Sequence, residues 1–243
     1  MIYKMLKYFF KKKKNQVATA ERPSLITLTR PSSVVAEQFR TIRTNVLFSM
    51  IDSDLKTLSI TSAGPGAGKS TVSANLAASF ANEGKKVLLV DTDMRKPTVH
   101  KTFRLPNHDG LTTLLTDRNA ELATIVHRLD TDNLFVLTSG AIPPNPAELL
   151  ASNRMEQLKF ELEELFDLII FDLPPVIAVT DAQIMASKTD GTIFVINKGG
   201  ADKEMVLKSK DLLEKVQANV LGAVFNRVET KNNQYYAYYG ESN

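Results

Sequence analysis

The spacing of apolar residues divides most of this chain into alternating strands and helices. Val87-Leu88-Leu89-Val90 and Leu168-Ile169-Ile170-Phe171 are unbroken apolar runs, as expected of parallel strands covered on both faces. Leu58-Ser59-Ile60, Leu134–Leu137, Thr192–Ile196 and Val220–Phe225 are further strand candidates. Between them the period lengthens to that of a helix. Val34, Val35, Phe39, Ile42, Val46 and Leu47 recur at that spacing up to Phe48, and Val72, Leu76 and Phe80 share one face of a helix predicted over 69–83. Gly84 stands where that helix should stop. Shorter helices are predicted over 145–151, 155–165, 181–186 and 203–216, with two more pieces inside 107–128. Strands alternating with helices in this way predict one three-layer α/β domain around a mostly parallel sheet. Residues 15–32 are polar, include Pro23 and Pro31, and read as a linker, whereas 229–243 read as a mobile tyrosine-rich tail. The expected division is a basic start and linker over 1–26, a folded domain over 27–228 and a tail over 229–243.

Composition narrows the chemistry. The 243 residues suit one such domain. With no cysteine there are no disulfides, thiolate metal sites or cysteine nucleophiles, and three histidines leave little scope for an imidazole metal centre. The net charge of +3 matters less than its placement, because the first 14 residues hold six lysines and no acid. Their apolar part is far shorter than the ~20 residues of a spanning helix, and no other segment is a membrane helix. The basic cluster follows the apolar stretch and no small-residue cleavage site is evident, which argues against a signal peptide. Such a segment can lie on an anionic membrane, each lysine contributing ~1 kcal/mol of attraction. A solvated basic tail, a nucleic-acid contact and a fused segment are the alternatives.

The sharpest local pattern is Ala-Gly-Pro-Gly-Ala-Gly-Lys-Ser at 63–70, placed between an apolar strand and an amphipathic helix. This is the order of a P-loop. Gly64, Gly66 and Gly68 let the backbone curl so that its N–H groups converge on phosphates, helped by the helix dipole. Gly64, Pro65, Gly66, Ala67, Gly68, Lys69, Ser70 and Thr71 would line the cradle. Lys69 would supply a charge to the β- and γ-phosphates of ATP, and Ser70 a hydroxyl to Mg²⁺. The fold is therefore expected to be a three-layer P-loop NTPase fold. Strand 87–90 delivers Asp91 and Asp93, followed by Arg95, and strand 168–171 delivers Asp172 before Pro174 and Pro175. Parallel strands put their carboxyl ends along one sheet edge, so the three carboxylates can converge on the metal and the transferring phosphoryl group. Ser70, Asp93 and Asp172 are the expected metal set, and Arg95 is assigned to steadying the phosphates. Each acid could instead cap a helix or serve a turn.

Two further features stand apart from the loop. Tyr235, Tyr236, Tyr238 and Tyr239 are four of the six tyrosines, and polar neighbours from Asn232 to Ser242 surround them. They read either as accessible acceptors or as an aromatic patch that docks elsewhere. On helix 34–48, Glu37, Arg40 and Arg43 recur every third residue and so share one face. Their spacing alone suits ion pairing within the helix.

Taken together, these motifs resemble the bacterial P-loop tyrosine autokinases of capsular and exopolysaccharide synthesis, the BY-kinases, over roughly residues 27–243. The Walker A element corresponds to Ala63–Ser70, the second acidic motif to Leu88–Pro97, and Walker B to Ile169–Pro175. Residues 138–149 and the YYAYYG at 235–240 correspond to further family segments. Members usually have Thr where this chain has Leu173. The resemblance implies transfer of the γ-phosphoryl group of ATP, in trans, to the tail tyrosines, with Asp91 orienting or deprotonating the acceptor hydroxyl. It also implies that Glu37, Arg40 and Arg43 form contacts in a homo-oligomeric ring. Implied partners are a membrane adaptor, tyrosine-containing protein substrates and a cognate tyrosine phosphatase, with no nucleic acid. The implied location is cytoplasmic, at the inner face of the bacterial cell membrane. Residues 1–14 look like the cytoplasmic end of such an adaptor, with Phe9 or Phe10 packing near the nucleotide base of a partner subunit. The septum-positioning and plasmid-partition ATPases are the alternative, but they carry a signature lysine at the position of Gly64.

Overall fold

The computed structural model describes residues 25–51, 54–131, 133–200 and 202–228. The expectations for residues 1–24 and for the tail over 229–243 therefore lie outside the described residues. Seven strands form one sheet: β1 (Thr57–Ser62), β2 (Val87–Asp91), β3 (His127–Arg128), β4 (Leu134–Leu137), β5 (Leu168–Asp172), β6 (Gly191–Asn197) and β7 (Val220–Asn226). Their order is β3-β4-β2-β5-β1-β6-β7, and every pair is parallel except β3–β4. The predicted α/β architecture is present.

Ten helices cover the sheet among the described residues: α1 (Ile26–Thr29), α2 (Val34–Ser49), α3 (Lys69–Asn82), α4 (Val99–Phe103), α5 (Leu111–Thr116), α6 (Leu122–Ile125), α7 (Pro146–Ala151), α8 (Asn153–Glu163), α9 (Asp181–Ala186) and α10 (Lys203–Lys215). Side chains alternate between the faces of a strand. Val87, Leu89, Leu168 and Ile170 accordingly pack with Phe39, Leu76 and Phe80 on one side, while Leu88, Val90, Ile169 and Phe171 pack with Leu114, Leu158 and Leu213 on the other. Two cores on two faces explain why β2 and β5 read as continuous apolar runs. α2 begins at Ser33, whose side chain accepts the Ala36 N–H, and α3 ends before Gly84, which has φ +91°.

The structure departs from the sequence reading in one part of the linker. Leu25 is buried, and Ile26–Thr29 form α1 within the stretch read as a linker. Thr27 donates through both its N–H and its hydroxyl to Asn75 Oδ1, at 3.1 Å each. That exchange lets Thr27 be buried against α3 with its polar groups paired. Leu25, Ile26 and Leu28 are apolar, but the residue that satisfies Thr27 lies 48 positions away, so the docking carries no local signal.

Candidate active site

The central strands bring the expected acids together. In the register of β2 and β5, Asp91 lies opposite Asp172, and β1 pairs Ile60 with Asp172 from the other side. The loop leaving β1 rises over this edge and returns as α3. Gly66 and Gly68 have φ +75° and +89°, left-handed values that glycine adopts without the penalty of a Cβ. At Gly68 a Cβ would also stand 2.1 Å from Asn226 Nδ2. The Asn226 amide donates to Ala67 O at 2.9 Å, tying the end of β7 to the loop. Pro65, Gly66 and Thr71 are exposed and Lys69 is buried, so the loop presents a rim with its cation beneath.

Asp172 is wholly buried. Its Oδ1 accepts from Ser73 Oγ at 2.9 Å, and its Oδ2 has no hydrogen-bond partner among the described residues. Burial pushes this carboxyl up to about 6, against the pull of the Lys69 charge and of the Ser70 and Ser73 hydroxyls. A buried acceptor left open beside a P-loop serine is the donor chemistry of a Mg²⁺ site that leaves most positions to phosphate and water. The described residues contain no group of three or more acidic or histidine side chains that could cage a metal by themselves. Ser70 and Asp172 therefore fit the cation, with Asp93 nearby. When bound, Mg²⁺ would neutralise charge on the β- and γ-phosphate oxygens.

The loop after β2 is organised by its own acids. Asp91 Oδ2 accepts the N–H groups of Thr98 and Val99 at 3.0 Å each, and Oδ1 accepts that of Asp93 at 3.2 Å. Asp93 Oδ1 accepts from Lys96 N at 3.0 Å. Burial, and then the Asp172 charge, raise the proton affinity of Asp91 well above that of an ordinary carboxylate. Burial raises Asp93 too, partly offset by hydrogen bonds and Lys69. Asp91 is fully enclosed, while Asp93 keeps 8% of its surface exposed. Thr92 donates to Asp172 O through its N–H at 3.0 Å and its hydroxyl at 2.7 Å, joining the two acidic loops. Leu173, where a threonine is usual, is buried in the apolar core.

Arg95 and Arg43 are engaged in ways the sequence did not indicate, whereas Glu37 and Arg40 make the ion pair their spacing suits. Arg95 pairs with Asp181 through Nε at 2.9 Å and Nη2 at 3.1 Å, fastening the loop after β2 to α9. A phosphate contact from Arg95 would require that pair to open. On α2, Glu37 and Arg40 pair with each other, and Arg40 also donates to Pro31 O at 2.7 Å. Arg43 turns inward to Ser79 O at 2.9 Å and Glu83 at 2.8 Å. The three residues therefore differ. Arg43→Ala should lower stability by about 1 kcal/mol, because it leaves the Ser79 carbonyl unpaired. Arg40→Ala should change monomer stability by less than about 1 kcal/mol, as expected of exposed pairs. Denaturant unfolding checks both values, and loss of assembly by Arg40→Ala in light scattering would mark an interface residue.

A mostly parallel sheet with this loop at the carboxyl end of β1, beside two strand-end carboxylates, defines a P-loop nucleotide-handling domain. The chain matches the AAA domain family over residues 55–218. It is 46% identical over 228 residues to the tyrosine-protein kinase YwqD of Bacillus subtilis, covering 94% of this chain and 95% of that one. It is 43% identical over 213 residues to the putative tyrosine-protein kinase CapB of Staphylococcus aureus, covering 87% and 93%. The kinase domain of the Escherichia coli tyrosine kinase ETK superposes with a TM-score of 0.82 at 31% identity, covering 93% of this chain and 86% of that one. A septum site-determining protein from Pyrococcus horikoshii reaches only 0.58 at 23% identity, covering 74% and 75%, a likeness of fold alone. The chain belongs to the bacterial tyrosine-protein kinase family.

Proposed function

We propose that the chain transfers the γ-phosphoryl group of ATP to Tyr235, Tyr236, Tyr238 and Tyr239 of a neighbouring copy, and thereby regulates capsular or exopolysaccharide synthesis. The observation that carries the reading is the open Asp172 Oδ2 beside Ser70 and Lys69, under a loop shaped for phosphates. Lys69 and the loop amides bind and orient the phosphates. Ser70, Asp93 and Asp172 hold the cation. Asp91 takes the phenolic proton, a role suited to a carboxylate of raised proton affinity. Its Oδ1 carries one long hydrogen bond, from Asp93 N at 3.2 Å, and is the oxygen with capacity left for a phenol once the loop opens.

Glu37, Arg40 and Arg43 would form the contact face of a ring, of which Glu37 and Arg40 are the exposed members. Residues 1–14, or a separate adaptor with a similar end, would place the kinase at the inner face of the membrane. Among the described residues no helix is long and apolar enough to cross one. Tyrosine-containing proteins would be further substrates and a tyrosine phosphatase would reverse the modification.

Transfer within one chain is a specific second reading, because Asn226 sits against the P-loop and the tail begins three residues later. Proximity therefore gives no support to transfer between chains, which rests on the family likeness and the exposed Glu37–Arg40 pair. The partition-ATPase reading is disfavoured by Gly64 itself, which stands where those proteins carry their signature lysine.

Intact-mass measurement after incubation with ATP and Mg²⁺ tests the activity. Additions of ~80 Da confined to the tail tyrosines are expected, and their loss in a variant with all four changed to Phe. Phosphate release without protein modification would reject the kinase reading.

A further inference from the structure

We propose that Thr98 is a positioning residue for the divalent cation, its hydroxyl fixing the rotation of the Ser70 hydroxyl so that one oxygen lone pair faces the metal. The proposal rests on the reading of Ser70 and Asp172 as the cation site. Thr98 precedes α4 as its N-cap residue, a place where a threonine hydroxyl ordinarily accepts from the helix N–H groups. Here it makes no such bond. It donates instead to Ser70 Oγ at 2.8 Å, across 28 residues of sequence. The Thr98 backbone is held independently, since its N–H donates to Asp91 Oδ2 at 3.0 Å. The loop after β2 thus ends with a hydroxyl aimed at the P-loop helix.

A serine hydroxyl has one proton and two acceptor lone pairs. The proton of Ser70 has a natural destination in the Asp172 carboxylate, whose buried Oδ2 has no hydrogen-bond partner among the described residues. The Thr98 proton occupies one lone pair. The remaining lone pair is then the one left for a cation, and every capacity of the Ser70 oxygen is accounted for. Without the Thr98 hydroxyl, Ser70 keeps its place on α3, but the rotation of its O–H loses one of its two restraints.

The test is the affinity for ADP measured by titration calorimetry with Mg²⁺ and again with EDTA, in the wild type and in Thr98→Val and Thr98→Ser. Valine preserves shape and the backbone N–H but removes the hydroxyl; serine restores the hydroxyl. The gain in ADP affinity given by Mg²⁺ should shrink by roughly three- to tenfold in Thr98→Val, the range of one hydrogen bond. Affinity in EDTA should stay unchanged, and Thr98→Ser should recover most of the gain. An undiminished Mg²⁺ gain in folded Thr98→Val would overturn the proposal, and so would an equal loss with and without Mg²⁺, which marks a structural role. A wild type with no Mg²⁺ gain would overturn the cation site itself, and the Thr98 role with it.

Discussion

Lys69→Met is expected to reduce tyrosine phosphorylation by at least about a hundredfold while leaving the fold intact. The ammonium lies beneath the loop, close enough to the acids to lower the proton affinities of both Asp93 and Asp172. It is the one lysine of the loop, at the first position of α3. Charge develops on the phosphate oxygens during transfer, and a fixed cation in a site shielded from water stabilises that charge strongly. Methionine fills a similar volume without charge. It also removes a favourable neighbour of Asp172, so that carboxyl should move further up. Quantitative phosphotyrosine mapping, paired with circular dichroism to show an unchanged fold, measures the effect. Phosphorylation within tenfold of wild type in a folded variant would contradict the assignment of the whole loop.

Asp172→Asn should separate activity from stability. The open Oδ2 becomes an amide nitrogen, which cannot ligate a cation, so Mg²⁺-dependent transfer should fall by about a hundredfold or more. The ligand-free protein should become more stable. The folded pKa of about 6 lies above the ordinary 3.8, so the folded state binds more protons than the unfolded state between these values. Stability then falls as pH rises through that window, and the full penalty persists above it. Removing the charge should give back about 1–3 kcal/mol at pH 8, the shift being worth ~3 kcal/mol and the new N–H group lacking an acceptor. At pH 4 the folded carboxyl is almost wholly neutral while the unfolded one is about half ionised, so most of the gain should be lost. Urea unfolding of both proteins at pH 8 and pH 4, in EDTA, provides the comparison. A variant less stable than the wild type at pH 8 would refute the buried-charge account of this residue.

The features legible in the sequence are those written in contiguous residues. The order of glycines, lysine and serine between a strand and a helix identifies the loop, because each residue answers a local requirement of backbone or phosphate. Asp91 and Asp172 are legible since each ends an apolar run long enough to be a buried strand, and parallel pairing then sets them opposite each other. Ser73, Thr98, Asp181 and Asn226 are not legible in this way. Each acts on a partner distant in sequence: Asp172 at 99 residues, Ser70 at 28, Arg95 at 86 and Ala67 at 159. Hydroxyls and amides at such positions carry no periodic signal, and only the closing of the sheet brings them together. Arg43 shows the converse case. Its spacing with Glu37 and Arg40 suggests one shared face, yet its length lets it turn back onto α3, so that equal spacing conceals unequal roles.

The direction of transfer is measured most directly by mixing two inactive chains. One carries Tyr235, Tyr236, Tyr238 and Tyr239 all changed to Phe, and so has a working site without tail acceptors. The other is Lys69→Met, with acceptors but without a working site. Incubated together with ATP and Mg²⁺ and resolved by intact mass, the Lys69→Met chain alone should gain phosphates, on its tail tyrosines. Co-assembly of the two chains, shown by light scattering or native mass measurement, makes the result decisive. Labelling of neither chain in such a mixture, while the wild type labels itself, would contradict transfer between subunits and leave transfer within a chain.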